Sequence, residues 1–102
     1  MPMFSVNMKH TPESCPMFNA EVKKKFKDLV GKREEAAPKY GVKVASAWTS
    51  VLDHLVFYIV DAPSQLALED YFREIGFAFW NDIEIRQVKP VEDVLKGIEA
   101  AP

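Results

Sequence analysis

Leu55-Val56-Phe57-Tyr58-Ile59-Val60-Asp61 is the densest apolar run of the chain, rich in the β-branched and aromatic residues that suit a pleated surface. Leu55, Phe57 and Ile59 fall on one parity, and Val56, Tyr58 and Val60 on the other. Both faces of the strand therefore read as buried, which is the pattern of a strand in the middle of a sheet. The run is also far shorter than the roughly 20 residues that a membrane-spanning helix needs. Immediately before it, Val42 to Ser50 is a second strand-like stretch, and Val51-Leu52-Asp53-His54 is the break that turns the two into a hairpin.

Working outward, Met3 to His10 alternates, with Phe4, Val6, Met8 and His10 on one side and Ser5, Asn7 and Lys9 on the other, so it reads as the first strand. The two prolines of Thr11-Pro12-Glu13-Ser14-Cys15-Pro16 end it in a capped turn. After Asn19, a natural N-cap, Val22, Phe26, Leu29, Val30, Ala37 and Tyr40 recur at helical spacing, so one helix is expected, closed by Pro38 and Gly41. Lys23, Lys24, Lys27 and Asp28 fill its solvated faces. Pro63 and Ser64 open a second helix whose buried face carries Leu68, Tyr71, Phe72, Ile75 and Phe79. Beyond Asn81, Ile83 and Ile85 alternate with Asp82, Glu84 and Arg86 as a half-buried fourth strand, and Pro90 starts a short helix expected to end near Gly97.

The order β-α-β-β-α-β predicts an α+β domain of the split βαβ, ferredoxin-like kind, an antiparallel four-stranded sheet in the order 4-1-3-2 with two helices on one face. A single domain spanning residues 1–102 is expected, with its core at about 3–89 and a helical tail at 90–102. Two helices cover one face of a sheet whose central strand is apolar on both, so the other face is expected to pack against a second copy of the chain. A domain of this size buries only roughly 60–70% of its unfolded surface, and a homodimer would add to that.

On this element order and on the doubly apolar third strand, the chain resembles the dimeric α/β-barrel superfamily over about residues 3 to 89. In that superfamily two ferredoxin-like subunits pack sheet to sheet. Its members include muconolactone isomerases, cofactor-free monooxygenases of the antibiotic-synthesis type, haem-degrading enzymes, aldoxime dehydratases and many small proteins without an assigned reaction. The resemblance thus implies a fold and a homodimer, with an isomerase, lyase or monooxygenase reaction among the activities. Haem-degrading members place an Asn on the first strand and a Trp and a His on the second helix. Asn7 matches the first of these, but the second helix here has no His and Trp80 lies at its end, so that set is not carried over.

Composition narrows the function. Thirteen Lys and Arg against fifteen Asp and Glu leave a formal charge of −2, which provides no electrostatic footprint for nucleic acid or an anionic membrane. Neither partner is expected. The single Cys15 rules out an intramolecular disulfide framework, and Met1 to Val6 lacks the basic and long apolar segments of a secretory signal, so a reducing cytoplasm is the expected location. No Gly-rich phosphate loop, Walker motif or Ser-His-Asp order occurs, which leaves no sequence basis for a nucleotide cofactor.

The expected topology brings four segments to one rim: His10, Thr11, Glu13 and Cys15 from the first connection, Trp48 and His54 from the hairpin, and Trp80, Asn81 and Asp82 from the third connection. His10 is the candidate general acid or base because an imidazole titrates near neutrality, with His54 and Glu13 as its catalytic partners. Asn7, Cys15, Trp48, Tyr58 and Trp80 are candidates for binding a small organic molecule, with Phe77 and Phe79 as further aromatic wall. The alternative reading is a metal-binding protein in which His10, Cys15 and His54 supply two imidazoles and a thiolate, with a carboxylate from Glu13 or Asp53 as a fourth ligand. A third reading is a dimerisation module without chemistry, in which the aromatic residues are core or interface.

Overall fold

The computed structural model describes residues 1–102. Its elements are β1 (Met3–Lys9), α1 (Ala20–Val30), α2 (Lys32–Tyr40), β2 (Lys43–Ser50), β3 (Leu55–Asp61), α3 (Gln65–Glu74), β4 (Asp82–Val88) and α4 (Val91–Ala100). Single 3-10 turns occupy Pro12–Ser14 and Phe77–Phe79. The fold is α+β. The four strands form one antiparallel sheet in the order β2-β3-β1-β4, which read from the β4 edge is 4-1-3-2.

Strand register decides what each face carries. Phe4, Val6 and Met8 lie opposite Val60, Tyr58 and Val56, and on their other side Val6 and Met8 meet Ile85 and Ile83. This inner face packs under Ala36 of α2 and Leu68, Tyr71 and Phe72 of α3 to make one core. Val6, Met8, Val60, Leu68 and Ile75 are completely buried. At roughly 25 cal/mol per Å² of apolar surface, side chains of this size each contribute about 1.5–3 kcal/mol by leaving water.

The outer face differs. Leu55, Ile59, Ser5 and Asn7 are half-buried there and Phe57 is 37% exposed, so within one chain the sequence expectation of a central strand buried on both sides is met on the inner side only. The physical reason is simple: the helices that supply the core, α2 and α3, pack on the other side of the sheet.

The helices depart from expectation at four points. The long helix expected between Asn19 and Gly41 is two helices, α1 and α2, divided at Gly31. Pro38 does not close the second of them; it lies inside α2. Gly41 takes the left-handed conformation (φ 69°), its N–H and that of Val42 reach back to Ala37 O, and these bonds satisfy the last turn that Pro38 weakens. Phe79 leaves the buried face expected for it because Gly76 (φ 81°) breaks the helical phase after α3. It is exposed instead, with Lys25 Nζ 3.7 Å from its ring centre. The last helix does not stop near Gly97, since one glycine costs only about 1 kcal/mol, and it runs on to Ala100.

Candidate metal centre

β1 fixes the geometry of the rim. Its last residue, Lys9, pairs with Leu55 of β3 and Asp82 of β4. The next residue, His10, therefore emerges between the residues that precede those strands, His54 and Asn81. His10 N–H donates to His54 O at 3.2 Å, one rung beyond the sheet. His54 itself sits at φ 54°, the only non-glycine residue in the left-handed region. That conformation costs roughly 1–2 kcal/mol for a residue with a Cβ, and such strain concentrates where geometry serves a function.

Cys15 reaches the same place through a locally locked loop. Thr11 caps the Pro12–Ser14 turn by accepting from Ser14 N–H, and Cys15 N–H donates to Pro12 O. Cys15 O in turn accepts from Phe18 and Asn19 N–H at 3.0 and 2.8 Å. Asn19 ties the far end, since its Oδ1 caps α1 through Glu21 and Val22 N–H while its Nδ2 donates to Glu13 O at 2.7 Å. The result is a reduced, buried thiol.

His10, Cys15 and His54 each offer a ligating atom within 4.8 Å of the other two. The His10 and His54 rings stand edge to face at 5.2 Å, and Trp80 packs against His10 at 5.0 Å. His10 Nε2 and His54 Nδ1 are buried and have no hydrogen-bond partner in the chain. Buried polar atoms almost always have one. The tautomer of His10 follows from Asn81. Asn81 Nδ2 donates to Phe77 O at 3.1 Å, so its Oδ1, 3.0 Å from His10 Nδ1, must accept. Nδ1 thus carries the proton and Nε2 presents its lone pair. Burial, opposed by the Asn81 bond and aided by the nearby His54, pushes the His10 pKa below its ordinary value of 6.5 and favours that neutral form.

These groups border a cleft of about 370 Å³, in the size range of small-molecule sites. Of the residues expected from sequence to form the site, His10, Cys15, Trp48, His54, Tyr58 and Trp80 all line it. Trp48 does so from an edge strand and remains 59% exposed. Glu13 and Asn7 are not brought in. Glu13 is exposed on the 3-10 turn, and Asn7, of opposite parity to His10, lies on the outer face between Phe57 and Glu84. Asp53 is also directed elsewhere, accepting from Ser50 Oγ at 2.9 Å, so no carboxylate joins the three ligands.

Two contributors carried no distinct sequence signal. Asn81 was legible as a rim residue, but its role as the group that orients His10 was not. Phe26 reads as ordinary helix core, yet it walls the cleft and meets Trp80 edge to face at 5.9 Å.

Chemically, two neutral imidazoles and a thiol suit a borderline transition ion. With no separation above 4.8 Å, an ion centred among the three atoms would lie at most about 2.8 Å from each, so side-chain shifts of under about 1 Å reach the 2.0–2.3 Å of zinc bonds. A ligating His normally donates its second ring N–H to an oxygen acceptor, which is what His10 does with Asn81. No protein-family model and no curated protein matches this chain, so the geometry of the rim carries the functional argument.

Proposed function

We propose that the protein binds a single zinc-class ion through His10, Cys15 and His54, and that it uses this centre to bind a small organic molecule in the adjoining apolar cleft. One observation carries the reading. His10, Cys15 and His54 each offer a ligating atom within 4.8 Å of the other two, the thiol is buried, and one buried ring nitrogen of each histidine has no hydrogen-bond partner. An ion satisfies all three at once. Three protein ligands and no fourth carboxylate match catalytic zinc sites, where the remaining position holds water or substrate. Such an ion polarises a bound oxygen or lowers the pKa of bound water. Asn81 holds His10 in the ligating tautomer, and the aromatic walls give a ligand an apolar surface to lie against.

The test is elemental analysis of untagged protein. Close to one zinc per chain is expected, falling to background in Cys15→Ser while the circular dichroism of the fold persists. Metal-free wild-type protein that takes up no added zinc would sink the reading.

A second reading is supported by the Asn81 bond and the lowered pKa of His10: a cofactor-independent isomerase, lyase or monooxygenase in which His10 Nε2 is a general base. It predicts ligand binding that survives exhaustive chelation. In either reading the protein is proposed to be a homodimer of the dimeric α/β-barrel kind. The support is the uncovered outer face, where Phe57 of the central strand β3 is exposed and Leu55 and Ile59 are only half-buried.

A further inference from the structure

The metal reading leaves the fourth coordination position undescribed, and the character of the cleft defines what fits it. All three ligands come from one end of the sheet, and the two carboxylates expected to join them, Glu13 and Asp53, are outside the group. The space beyond is walled by Phe26, Phe77, Trp80, Val56 and Tyr58. No Asp, Glu, Lys or Arg lines it. A divalent ion and one thiolate leave a single positive charge for which the cleft offers no charged side chain, and a charge left unpaired against apolar walls carries a cost. One anionic donor removes the cost. A second charge on the same molecule would find no partner in the cleft.

Resting on the metal reading, we infer that the cleft takes a small monoanion with an apolar, ring-sized body and one donor atom that completes the coordination of the ion. Carboxylate, phenolate and thiolate head groups share this chemistry. The body lies against the Phe26 and Trp80 rings, which stand at 86° to each other and form a corner suited to a flat group. Selectivity comes from the two ends acting together: the ion reads the charge and the corner reads the ring.

Cobalt(II) substituted for zinc gives visible bands that respond to the fourth ligand, and three probes separate the contributions. Phenylacetate should shift the bands at concentrations at least about tenfold below those required by acetate, because the phenyl group leaves water in the cleft. Phenylacetamide, the same ring without the charge, should shift them far less. In Phe26→Leu the preference for phenylacetate over acetate should fall. Equal responses to phenylacetate and acetate, an amide as effective as the acid, or an unchanged preference in Phe26→Leu would each overturn the inference and leave the metal centre standing. Absence of a thiolate-to-cobalt absorption before any probe is added would remove the metal centre and this inference together.

Discussion

The rim and the outer sheet face are both incomplete in a single chain, but they lack opposite things. At the rim, His10 Nε2 and His54 Nδ1 are buried without polar partners. On the outer face, Phe57 is exposed and Leu55 and Ile59 are only half-buried, without apolar cover. An unmet polar demand enclosed by aromatic side chains is met by something small and charged. An unmet apolar demand spread over strands is met by surface area, hence by another polypeptide. The two deficits should therefore respond to different perturbations, and a ranked set of variants can separate or merge them.

The largest effect is expected from removing a ligand. His54→Ala should weaken zinc binding by more than the roughly 10–100-fold typical of changes behind the ligands, with the sedimentation coefficient unaltered. Zinc titration with a competing chromophoric chelator measures this, and loss of the oligomer along with the metal would merge the two regions.

Next comes Gly76→Ala, which should damage both. A Cβ at φ 81° is strained and would collide with Leu29 Cδ1 where α1 crosses the turn that carries Trp80 and Asn81. Destabilisation of about 2–3 kcal/mol is expected in urea denaturation. Phe57→Lys should act only on the face, weakening the proposed dimer by about 2 kcal/mol at a buried aromatic anchor. Analytical ultracentrifugation detects it, and a wild-type chain already monomeric at micromolar concentration contradicts the interface.

Asn81→Ala is expected to be milder, lowering zinc affinity about tenfold because the His10 ring loses its orienting acceptor while all three ligands remain. Asn81→Asp should restore it.

The smallest effect lies away from both regions. Lys39 Nζ sits 2.6 Å from Glu74 Oε1, linking α2 to α3. The Lys39 bond holds the Glu74 carboxyl below its ordinary range, while the bond to Glu74 raises the Lys39 pKa. The glutamate contribution to stability is present above its unfolded pKa near 4.3 and fades as pH falls through the folded value. The lysine contribution is present below about 10.4 and fades as pH rises through its folded value. Lys39 is exposed and Glu74 only half-buried, so solvent screens the pair and Lys39→Ala should change the melting temperature only slightly, and only between those limits.

How much of this was legible beforehand varies residue by residue. Leu55–Asp61 announced the central strand because its apolar content exceeds what one face needs. The strand sequence then implied that the first connection, the hairpin and the third connection share an end, and this joined His10, Cys15, His54, Trp48 and Trp80 across as many as 70 positions of sequence. The same alternation that put Phe4, Val6, Met8 and His10 together already set Asn7 apart, and the register keeps it on the outer face. Glu13 could not be excluded from sequence, since a proline-led turn does not reveal which way its side chains point. The break at Gly31 was hidden because residues on both sides of it keep helical spacing. Neither the left-handed backbone of His54 nor the two bonds of Asn81 has a local signature, because each depends on distant strands arriving in register.

The proposed centre is one ion shared by two imidazoles and a thiolate. X-ray absorption at the zinc edge of the reconstituted protein tests it most directly. One sulfur near 2.3 Å and two imidazole nitrogens near 2.0 Å are expected around zinc, with a light atom in the fourth position. In Cys15→Ser the sulfur shell should vanish. A wild-type spectrum fitted by oxygen and nitrogen alone, or one that Cys15→Ser leaves unchanged, would contradict it.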